Sequence, residues 1–549
     1  MNASAPEYKV LRMRGAMLAF MLSVSCAAAE TFKTRVEPLD GEKWWGAATT
    51  LGDIMPFPAD TKSFDLLKND FGNQASPLLL SSKGRYVWSE EPFSFKFEKG
   101  ALVLESRFEK LSARGDGAGT LKSAFLSASK NHFPPDGKIP PEIFFSKPHF
   151  NTWIELVRNQ NQADILKYAR AIRENGFPCG VFMVDGGWDR YYGMLEFRAD
   201  KFPDPAGLNA QLREMGYKVM YWTAPFAPSA GGEFLELQGD GVLLQGADEP
   251  KMKNGRRKAA IIPWWSGKSP VYDMTSPRAR AHFSKRLKAL AEKYGIDGFK
   301  FDGGAASSVS GKGILFDSPK YTPQDYPRGY SQLAFEFPYH EFKSTWKLGG
   351  RAIVQRLRDK HSTWDGLRQI IPHAAACGML GYPYFAPDMV GGGEYKSFIG
   401  VEPGRIDQRL IVRFAQASAL MPMMQFSLAP WRVLDKKHLD ACRDAANLHV
   451  KFADYILKTA REASATGEPI VRAMEYEFPN CGYENIRDQF MLGSEYLVAP
   501  VVTPADSREV VLPRGEWIDE LGNRYSGGRA VKIDAPIWRL PHFKKLHQK

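Results

Sequence analysis

The alternation of apolar and polar positions divides the chain into three regions. Between residues 30 and 145, short alternating stretches such as "ALVLESRFEKL" lie between turn-rich segments such as "FPPDGKIPP". Alternation with a period of two, interrupted by turns, predicts antiparallel strands, so we expect an N-terminal β-sandwich here. Residues 463–549 return to this pattern with "EYLVAPVV" and "REVVLPRGEWIDE", which predicts a C-terminal β-sandwich.

The central region, residues 146–462, alternates strand-like runs with helical ones, which indicates parallel βαβ units. Helical periodicity is clear in "QADILKYARAIREN", "PAGLNAQLREMG" and "RARAHFSKRLKALAEKYG". The strand-like runs are "FNTWIEL", "PCGVFMVDGGW", "YKVMYWTAPF", "IDGFKFDGG", "RAIVQRL", "LGYPYFAPDMVGG" and "ASALMPMMQF". No glycine-rich dinucleotide turn marks a crevice, so an α/β fold with an eight-stranded (β/α)8 TIM barrel is favoured over an open doubly wound sheet.

The first residues have the pattern of a secretory signal peptide. Three basic residues precede an apolar run that ends in small residues, and we place cleavage near Ala29, which removes residues 1–29. A lipoprotein acylated on Cys26 is the alternative. No later stretch approaches the roughly 20 uninterrupted apolar residues of a membrane-spanning helix. We therefore expect an exported, soluble protein, periplasmic or extracellular.

Composition adds few constraints on partners. The net charge is +11, but the only dense basic run is "KMKNGRRK" at 251–258, which we interpret as a solvated loop rather than a nucleic-acid site. Cys179, Cys377, Cys442 and Cys481 lack the spacing of a metal site or a disulfide scaffold, and we expect buried free thiols. There is no phosphate-binding glycine loop. We expect no metal, no cofactor and no nucleic acid, and the oligomeric state is left open.

A carboxylate ends one of the predicted barrel strands. Asp302 lies near the end of "GIDGFKFDGG", and Lys300 lies two residues earlier on the same face. A neighbouring ammonium group favours the ionised carboxylate, as a nucleophile requires. Gly303 and Gly304 would let the chain turn tightly and leave room for a substrate. The structural alternative is that Asp302 caps the next helix and pairs with Lys300.

Three other predicted strand ends carry acids or indoles. Asp185 and Trp188 lie in "VDGGW", Trp222 lies in "YWTAPF", and Asp388 lies in "YFAPDMVGG". Because the active sites of β/α barrels form at the carboxyl ends of the strands, these side chains are expected on one rim. Carboxylates accept hydrogen bonds from hydroxyls and indoles stack on sugar rings, so the group indicates a carbohydrate site, although each residue alone could be core packing.

Taken in order, these segments resemble glycoside hydrolase family 31, the retaining α-glycosidases. The resemblance runs through "VDGGWDRYYGMLEFRADKFPDP", "PWWSGKSPVYDMTSP", "GIDGFKFDGG" and "RLRDKHSTWDGL" to "IRDQFMLGSEYLVAPVVTP". "GYPYFAPDMVGG" and "MPMMQFSLAPW" look most similar to the α-galactosidase-like branch that contains the myogenesis-regulating glycosidase. The resemblance implies hydrolysis of terminal α-linked sugars of an oligosaccharide or glycoconjugate, through a covalent glycosyl-aspartate and without a cofactor.

The resemblance implies two catalytic roles. Asp302 matches the family nucleophile. Asp359 in "RDKHSTW" matches the general acid/base, which in the family precedes a tryptophan by five residues, as Asp359 precedes Trp364. We expect the pKa of Asp359 to be raised by its negative neighbour and by the desolvation that the substrate causes, while Lys300 keeps Asp302 ionised. The alternative for Asp359 alone is a surface salt bridge within "RLRDK".

The resemblance also implies contacts to the sugar. The matching positions are Asp185, Trp188, Trp222, Trp265, Lys300 and Asp388, together with Gln425 and Ser427. Family α-glucosidases usually carry an arginine and a histidine in the segment of Gln425 and Ser427, so this chain favours an α-galactoside. An arginine that usually precedes the acid/base falls on Lys343 by ungapped counting. The alternatives are an α-glucosidase or α-xylosidase of the same family, transglycosylation, or a carbohydrate-binding barrel without turnover.

Overall fold

The computed structural model describes residues 31–68 and 71–546. The predicted signal peptide and Cys26 lie outside the described residues. Within these ranges no helix has both the length and the apolar character needed to cross a membrane. The four cysteines of the described chain are free thiols, as expected, but only Cys377 and Cys442 are buried, whereas Cys179 is half-buried and Cys481 is exposed.

The N-terminal region forms two small antiparallel sheets. The strands are β1 (Phe32–Val36), β2 (Trp44–Ala48), β3 (Phe64–Asp65), β4 (Gln74–Ser81), β5 (Tyr86–Trp88), β6 (Ser94–Glu98) and β7 (Ala101–Ser106). One sheet has the order β1-β7-β6-β3, and in the other β4 pairs with β2 and β5. Phe57, Phe64 and Phe95 pack with ring centroids 5.2–5.9 Å apart, which places aromatic side chains in the core of this region.

A helix that the strand pattern did not predict follows these sheets. Helix α1 (Leu121–His132) begins after Thr120, whose hydroxyl accepts a hydrogen bond from the backbone N–H of Ser123, while the Ser123 side chain bonds back to Thr120. This reciprocal capping satisfies two backbone donors of the first turn. Helix α2 (Ile143–Ser146) then leads into the barrel.

The central region is a parallel barrel with strand-containing insertions. Its strands are β8 (His149–Asn151), β9 (Val181–Val184), β10 (Lys218–Thr223), β11 (Gln245–Gly246), β12 (Ile262–Trp264), β13 (Gly267–Ser269), β14 (Gly298–Phe301), β15 (Ile314–Leu315), β16 (Tyr339–Phe342), β17 (Thr345–Trp346), β18 (Gln355–Arg356), β19 (Phe385–Ala386) and β20 (Gln425–Phe426). Eight of them form one sheet in the order β20-β8-β9-β10-β14-β16-β18-β19. A parallel bridge between Met389 and Gln425 connects β20 with the segment after β19 and closes the barrel. The predicted TIM barrel is confirmed.

Helices surround the barrel and occupy its loops. They are α3 (Trp153–Leu156), α4 (Gln162–Glu174), α5 (Pro205–Glu214), α6 (Gly231–Gly239), α7 (Pro277–Tyr294), α8 (Ala306–Val309), α9 (Asp325–Ser331), α10 (Trp364–Arg368), α11 (Ile370–Met379), α12 (Gln408–Ala419), α13 (Pro430–Val433), α14 (Lys436–Lys451) and α15 (Ala453–Thr466). Four short 3-10 helices lie at Thr49–Ile54, Gln332–Phe335, Tyr395–Ser397 and Pro403–Arg405. The helices predicted from periodicity correspond to α4, α5 and α7.

One barrel strand, β16, was missed by the sequence analysis. Its sequence, "YHEF", follows Pro338 and contains two polar residues, His340 and Glu341, although both side chains are buried. Lys300 of β14 lies opposite Glu341 in the parallel register. Because Glu341 pairs with polar side chains inside the barrel rather than with an apolar core, a search for apolar runs could not identify this strand.

The C-terminal region is again built of antiparallel strands, in agreement with the predicted second sandwich. Its elements are β21 (Val471–Arg472), α16 (Met474–Glu477), β22 (Phe490–Leu492), β23 (Tyr496–Val498), β24 (Ser507–Leu512), β25 (Glu516–Asp519), β26 (Arg524–Ser526), β27 (Arg529–Asp534) and β28 (His542–Leu546). The larger sheet has the order β21-β22-β23-β28-β25-β26, and β24 pairs with β27. Trp517 and Phe543 of the larger sheet pack in one core with Val510 of the pair.

The N-terminal region is joined to the barrel at a point that affects the site. Strand β17, in the connection after β16, pairs in parallel with β4, so that Thr345 lies opposite Gln74. The buried side-chain amides of Asn73 and Gln74 donate hydrogen bonds to the backbone carbonyl of Lys343, at 2.8 and 3.0 Å. Two residues outside the barrel therefore fix the segment between β16 and β17.

Candidate active site

A cavity of about 250 Å³ lies at the carboxyl ends of the barrel strands. Its carboxylates are Asp185, Asp302, Asp359 and Glu394, its cations are Lys300, Lys343 and Arg356, and its aromatic residues are Trp153, Tyr192, Trp222, Trp265 and Tyr395. The cavity is small enough to enclose about one sugar ring, and it combines charged groups with aromatic faces. This combination suits a polyhydroxylated ligand.

Asp302 lies directly after β14 and points into the cavity. Its Oδ2 accepts a hydrogen bond from the Trp222 indole at 3.0 Å, and its Oδ1 accepts one from the Gly303 backbone N–H at 2.8 Å. Gly303 and Gly304 have φ values of 69° and 74°, a conformation that favours glycine. A Cβ atom on Gly304 would also overlap the ring of Tyr330. The tight turn expected after Asp302 is therefore present.

The cation closest to Asp302 is not the one that the sequence predicted. Lys300 donates to Asp185 Oδ2 at 2.6 Å, whereas Lys343 Nζ lies 3.7 Å from Asp302 Oδ1. Burial alone would raise the pKa of Asp302, but Lys343 first and Lys300 second outweigh it, so the pKa is lowered. Asp302 is thus ionised as expected, with Lys343 as the stronger influence.

Asp359 lies three residues beyond β18 and is held by two cations. Lys343 Nζ donates to its Oδ2 at 2.7 Å, and the Arg356 guanidinium contacts its Oδ1. Burial alone would raise the pKa of Asp359, but Arg356 and Lys343 together hold it well below the ordinary value. These two cations, which were not part of the expectation, oppose the rise in the pKa of Asp359 that was expected from its negative neighbour and from the substrate. The salt bridge considered within "RLRDK" does exist, but it faces the cavity rather than the surface.

A buried network lies beneath these two aspartates. Arg356 is 2% exposed, and its guanidinium approaches Glu341 Oε1 and Asp388 Oδ1 at 3.5 Å each. Glu341 Oε2 accepts a hydrogen bond from Gln425 Nε2 at 2.7 Å. Burial raises the pKa of Glu341 despite Lys300 and Arg356, and it raises the pKa of Asp388 to about 6. The network fixes the position of the guanidinium that contacts Asp359.

The loop after β19 is organised by Asp388. Its carboxylate accepts hydrogen bonds from the backbone N–H groups of Lys360 and Met389, both at 2.7 Å, and of Gly393 at 3.1 Å. A Cβ atom on Gly393 would lie 2.5 Å from Asp359 Oδ1 and 2.8 Å from Asp388 Oδ1, so the loop requires glycine for its close approach. Asp388 therefore supports the site through backbone contacts.

The structure brings six of the predicted site residues to the cavity wall and leaves four behind it. In the wall are Asp185, Trp222, Trp265, Lys300, Asp302 and Asp359. Outside it are Trp188, Asp388, Gln425 and Ser427, all of them buried. Trp188 donates to the Trp222 backbone carbonyl at 2.8 Å, and Ser427 Oγ accepts from the Ile154 N–H at 2.7 Å. None of these four side chains forms part of the wall of this cavity, and their sugar contacts stay a prediction.

Several residues of the wall were not predicted. Trp153 follows β8, donates its indole N–H to the Gly393 carbonyl at 3.2 Å, and packs edge-on against Tyr395. Tyr192 packs edge-on against Trp222 on the opposite side. Trp153 lies in the middle of the run "FNTWIEL", two residues after β8 ends, so the sequence pattern alone did not mark it as a strand-end residue.

Two family models match the chain. The model of the glycosyl hydrolases family 31 TIM-barrel domain matches residues 145–459, and that of the glycosyl hydrolase family 31 C-terminal domain matches residues 467–546. Together they cover the barrel and the C-terminal sheets.

Curated relatives extend this similarity. The chain is 31% identical over 417 residues to the myogenesis-regulating glycosidase of Mus musculus, covering 74% of this chain and 57% of that protein. It is 25% identical over 537 residues to an α-xylosidase of Emericella nidulans, covering 89% of this chain and 64% of that protein. The chain spans less than two thirds of the length of each of these relatives.

A solved structure shares the fold. A family 31 α-xylosidase from a soil metagenome, complexed with xylose, matches with a TM-score of 0.79 at 20% identity, covering 94% of this chain and 79% of that chain. The match extends over the N-terminal sheets as well as the barrel, since it covers nearly the whole chain.

Proposed function

Because the chain belongs to glycoside hydrolase family 31, we propose that it is a retaining α-glycosidase that releases terminal α-linked sugars with Asp302 as nucleophile and Asp359 as general acid/base. The observation that carries this proposal is the placement of both carboxylates on one small cavity with a single ammonium group, Lys343, between them.

Lys343 limits the spacing of the two carboxylates. Lys343 Nζ lies 3.7 Å from an oxygen of Asp302 and 2.7 Å from an oxygen of Asp359. The distance between these two oxygens is therefore at most the sum of the two distances. Retaining enzymes hold their carboxyl groups about 5–5.5 Å apart, whereas inverting enzymes need at least about 6.5 Å to admit a water molecule. The limit applies to the two oxygens nearest Lys343 and not to the carboxyl groups as a whole, so the proposal of retention rests on the family.

In the proposed first step, an Asp302 oxygen attacks the anomeric carbon and Asp359 gives its proton to the departing glycosidic oxygen. In the second step, Asp359 takes a proton from water, and that water displaces Asp302 and releases the sugar. The contacts with Arg356 and Lys343 lower the pKa of Asp359, which suits the second step and opposes the first. The substrate therefore has to separate Asp359 from Lys343 or Arg356 before the carboxyl group can act as an acid.

For the sugar, an α-galactoside is the first candidate. Its support is the resemblance of "GYPYFAPDMVGG" and "MPMMQFSLAPW" to the α-galactosidase-like branch. Gln425 and Ser427 do not form part of the cavity wall, and their contacts with the sugar stay a prediction. An α-xyloside is the second candidate, because a curated relative and a solved structure that match this chain are both α-xylosidases. An α-glucosidase remains the third alternative.

The test is hydrolysis of 4-nitrophenyl α-glycosides of galactose, glucose, xylose and N-acetylgalactosamine. We expect one sugar to be cleaved by the wild type and none by Asp302→Ala, with circular dichroism as a check that the variant is folded. Proton NMR of the first product should show the α-anomer. Hydrolysis by Asp302→Ala, or a β-anomer as first product, would contradict the mechanism. A folded wild type that binds these glycosides without cleaving them would favour the binding-only alternative.

We also propose that the protein is exported, on the basis of the apolar leader at residues 1–29. Expression of the full chain in a Gram-negative host followed by cell fractionation and N-terminal sequencing is the test. A mature N-terminus near residue 30 in the periplasm or medium is expected, and a cytoplasmic protein that retains its leader would contradict export. A lipid-modified Cys26 in the membrane fraction would identify the lipoprotein alternative.

A further inference from the structure

A second cavity lies beside the active-site cavity, between the N-terminal sheets and the barrel. Its volume is about 930 Å³. We call it the outer groove; Lys62, Lys68 and Phe71 form one side, and Arg358, Asp359 and Glu394 form the other. The groove is considerably larger than the sugar-sized cavity beside it.

The two cavities meet at Asp359. This residue lines both of them, as do Lys343 and Glu394. In the proposed reaction the glycosidic oxygen lies within hydrogen-bonding distance of Asp359, while the sugar carbon that it leaves faces Asp302. The sugar ring therefore occupies the smaller cavity. The leaving group, bonded to the same oxygen, extends past Asp359 into the outer groove.

The outer groove is rich in cations without carboxylate partners. Among residues 31–68 and 71–546, no carboxylate oxygen lies within 4.0 Å of the side-chain nitrogens of Lys62, Lys68 or Arg358. All three residues are exposed. The third cation, Arg358, differs in this respect from Arg356 two residues earlier, which contacts Glu341, Asp359 and Asp388.

The carboxylates of the outer groove already have donors. Asp65 Oδ1 accepts a hydrogen bond from the Leu67 N–H at 2.8 Å, Glu394 Oε1 accepts one from the Lys396 N–H at 3.2 Å, and Asp359 is held by Lys343 and Arg356. Among residues 31–68 and 71–546, and with the Lys343 and Asp359 pair set aside, the groove thus offers three exposed cations and two hydrogen-bonded carboxylates. The whole chain carries a net charge of +11, which further favours the approach of an anion.

From this arrangement we propose that the leaving group of the substrate is anionic and that Lys62, Lys68 and Arg358 select it. The class includes carboxylates, sulfates and phosphate monoesters, whose oxygens accept hydrogen bonds from ammonium and guanidinium groups. The inference rests on the proposed function, because the roles of Asp302 and Asp359 place the leaving group in the outer groove. It adds a substrate class that the sugar-sized cavity alone does not define.

The test compares two leaving groups that differ in charge. The probes are 3-carboxyumbelliferyl and 3-carbamoylumbelliferyl α-glycosides, with the sugar that the nitrophenyl panel identifies, and α-galactosides if that panel shows no cleavage. The ratio of kcat/KM values for the two probes is measured in the wild type and in Lys62→Gln, Lys68→Gln and Arg358→Gln. Lys437→Gln, a change at an exposed lysine on helix α14, is the matched control. The ratio cancels effects on the sugar site that both probes share.

We expect the wild type to prefer the carboxylate probe and each groove variant to reduce that preference by up to about fivefold, as for exposed charge pairs. Salt at about 1 M, which shortens the Debye length to about 3 Å, should reduce it as well. A preference that is absent in the wild type, or that remains unchanged in all three variants, would overturn the proposal. So would an equal loss in Lys437→Gln, because it would indicate a general effect of net charge.

Calorimetric binding of both probes to Asp302→Ala separates this inference from the proposed function. A lower Kd for the carboxylate probe, without turnover by the wild type, would support the proposal of an anion-binding groove and contradict the proposal of a glycosidase. Turnover of both probes with equal Kd values would support the proposal of a glycosidase and contradict the proposal of an anion-binding groove. A phosphate monoester in place of the carboxylate, such as an α-glycosyl glycerol phosphate beside the α-glycosyl glycerol, identifies which anion is preferred.

Discussion

The two aspartates of the active-site cavity lie on walls that are built differently. On the first wall, Asp302 follows β14 and receives hydrogen bonds from two neutral donors, the Trp222 indole and the Gly303 N–H. On the second wall, Asp359 lies beyond β18 and is held by two cations, Lys343 and Arg356. Hydrogen bonds from neutral groups orient the carboxylate of Asp302, whereas two cations compensate the charge of Asp359.

This difference matches the two chemical roles. A nucleophile has to remain ionised and aimed at one carbon atom, and neutral donors can fix its orientation without neutralising it. An acid/base has to gain and lose a proton in each cycle, so its pKa has to change when the cavity fills. Contacts with two cations give such a change, because moving either cation away would raise the pKa of Asp359.

The largest expected effect is on the first wall. Asp302→Ala removes the atom that bonds to the sugar, so kcat on all glycosides should fall by about 10⁵-fold or more. The measurement is release of nitrophenol from the preferred glycoside, with Asp302→Asn as a second variant that keeps an acceptor for the Trp222 indole. Substantial activity in either folded variant would show that the nucleophile lies elsewhere.

On the second wall the effect should depend on the leaving group. Asp359→Ala removes proton transfer, which contributes about 10²–10⁴-fold for leaving groups of high pKa. Nitrophenyl glycosides, whose leaving group needs little protonation, should retain a fast first step, seen as a burst of nitrophenol before slow turnover. Asp302→Ala, in contrast, should lose the first step for every leaving group. A loss of equal size for good and poor leaving groups would argue against Asp359 as the acid.

Lys343→Met should shift the pH dependence of both walls, since Lys343 contacts both aspartates. Without its charge the neutral forms of Asp302 and Asp359 become more favourable, so both pKa values rise. The acidic limb of the kcat profile reports ionisation of Asp302 in the substrate complex, and the alkaline limb reports loss of the proton from Asp359 there. Both limbs should move to higher pH, by about one unit.

The control for this shift is Lys343→Arg, which keeps the positive charge. Its profile should stay near that of the wild type, even if kcat falls because the guanidinium has another shape. A profile of Lys343→Met that does not move, with activity retained, would mean that Arg356 alone sets the protonation of Asp359.

The first wall was largely predictable from sequence, and the second was not. Asp185, Trp222, Lys300 and Asp302 lie in short segments that each contain a buried strand and its end, so local pattern was enough to place them. Trp188 was misplaced because the turn at Gly187, with a φ of 103°, directs the indole behind Trp222, and strand alternation does not describe a turn.

The second wall depends on contacts that are distant in sequence. Lys343 follows β16, a strand of four residues whose polar sequence gave no recognisable signal, and its partner Asp359 lies beyond the two-residue strand β18. Sequence similarity indicated Asp359 and, by ungapped counting, Lys343, but not Arg356. Their positions follow from barrel closure and from the N-terminal sheet, which are long-range features that no local pattern contains.

The smallest effect, and the sharpest test of how the second wall is held, is expected for Asn73→Ala. The Asn73 amide is fully buried, donates to the Lys343 carbonyl at 2.8 Å and to the Arg356 carbonyl at 3.3 Å, and accepts from the Arg358 N–H at 3.2 Å. It thus connects the N-terminal sheet to the backbone of both cations that hold Asp359. Removing it leaves the Arg358 N–H without this acceptor and leaves the two carbonyls with Gln74 as their donor, which costs about 1–3 kcal/mol of unfolding free energy.

A purely structural role for Asn73 would lower the melting temperature and leave the kinetics of the remaining folded protein unchanged. A positioning role predicts in addition a fall in kcat of several-fold with little change in KM, because a small displacement of Lys343 and Arg356 alters the acid/base and not the sugar contacts. The fall should be larger for poor leaving groups than for nitrophenyl glycosides, the same selectivity as in Asp359→Ala. Asn73→Asp, which keeps an acceptor for the Arg358 N–H but loses the donors to both carbonyls, should resemble Asn73→Ala. If it instead behaves as the wild type, the contact that matters is the one to Arg358, and the two cations are held by the barrel alone.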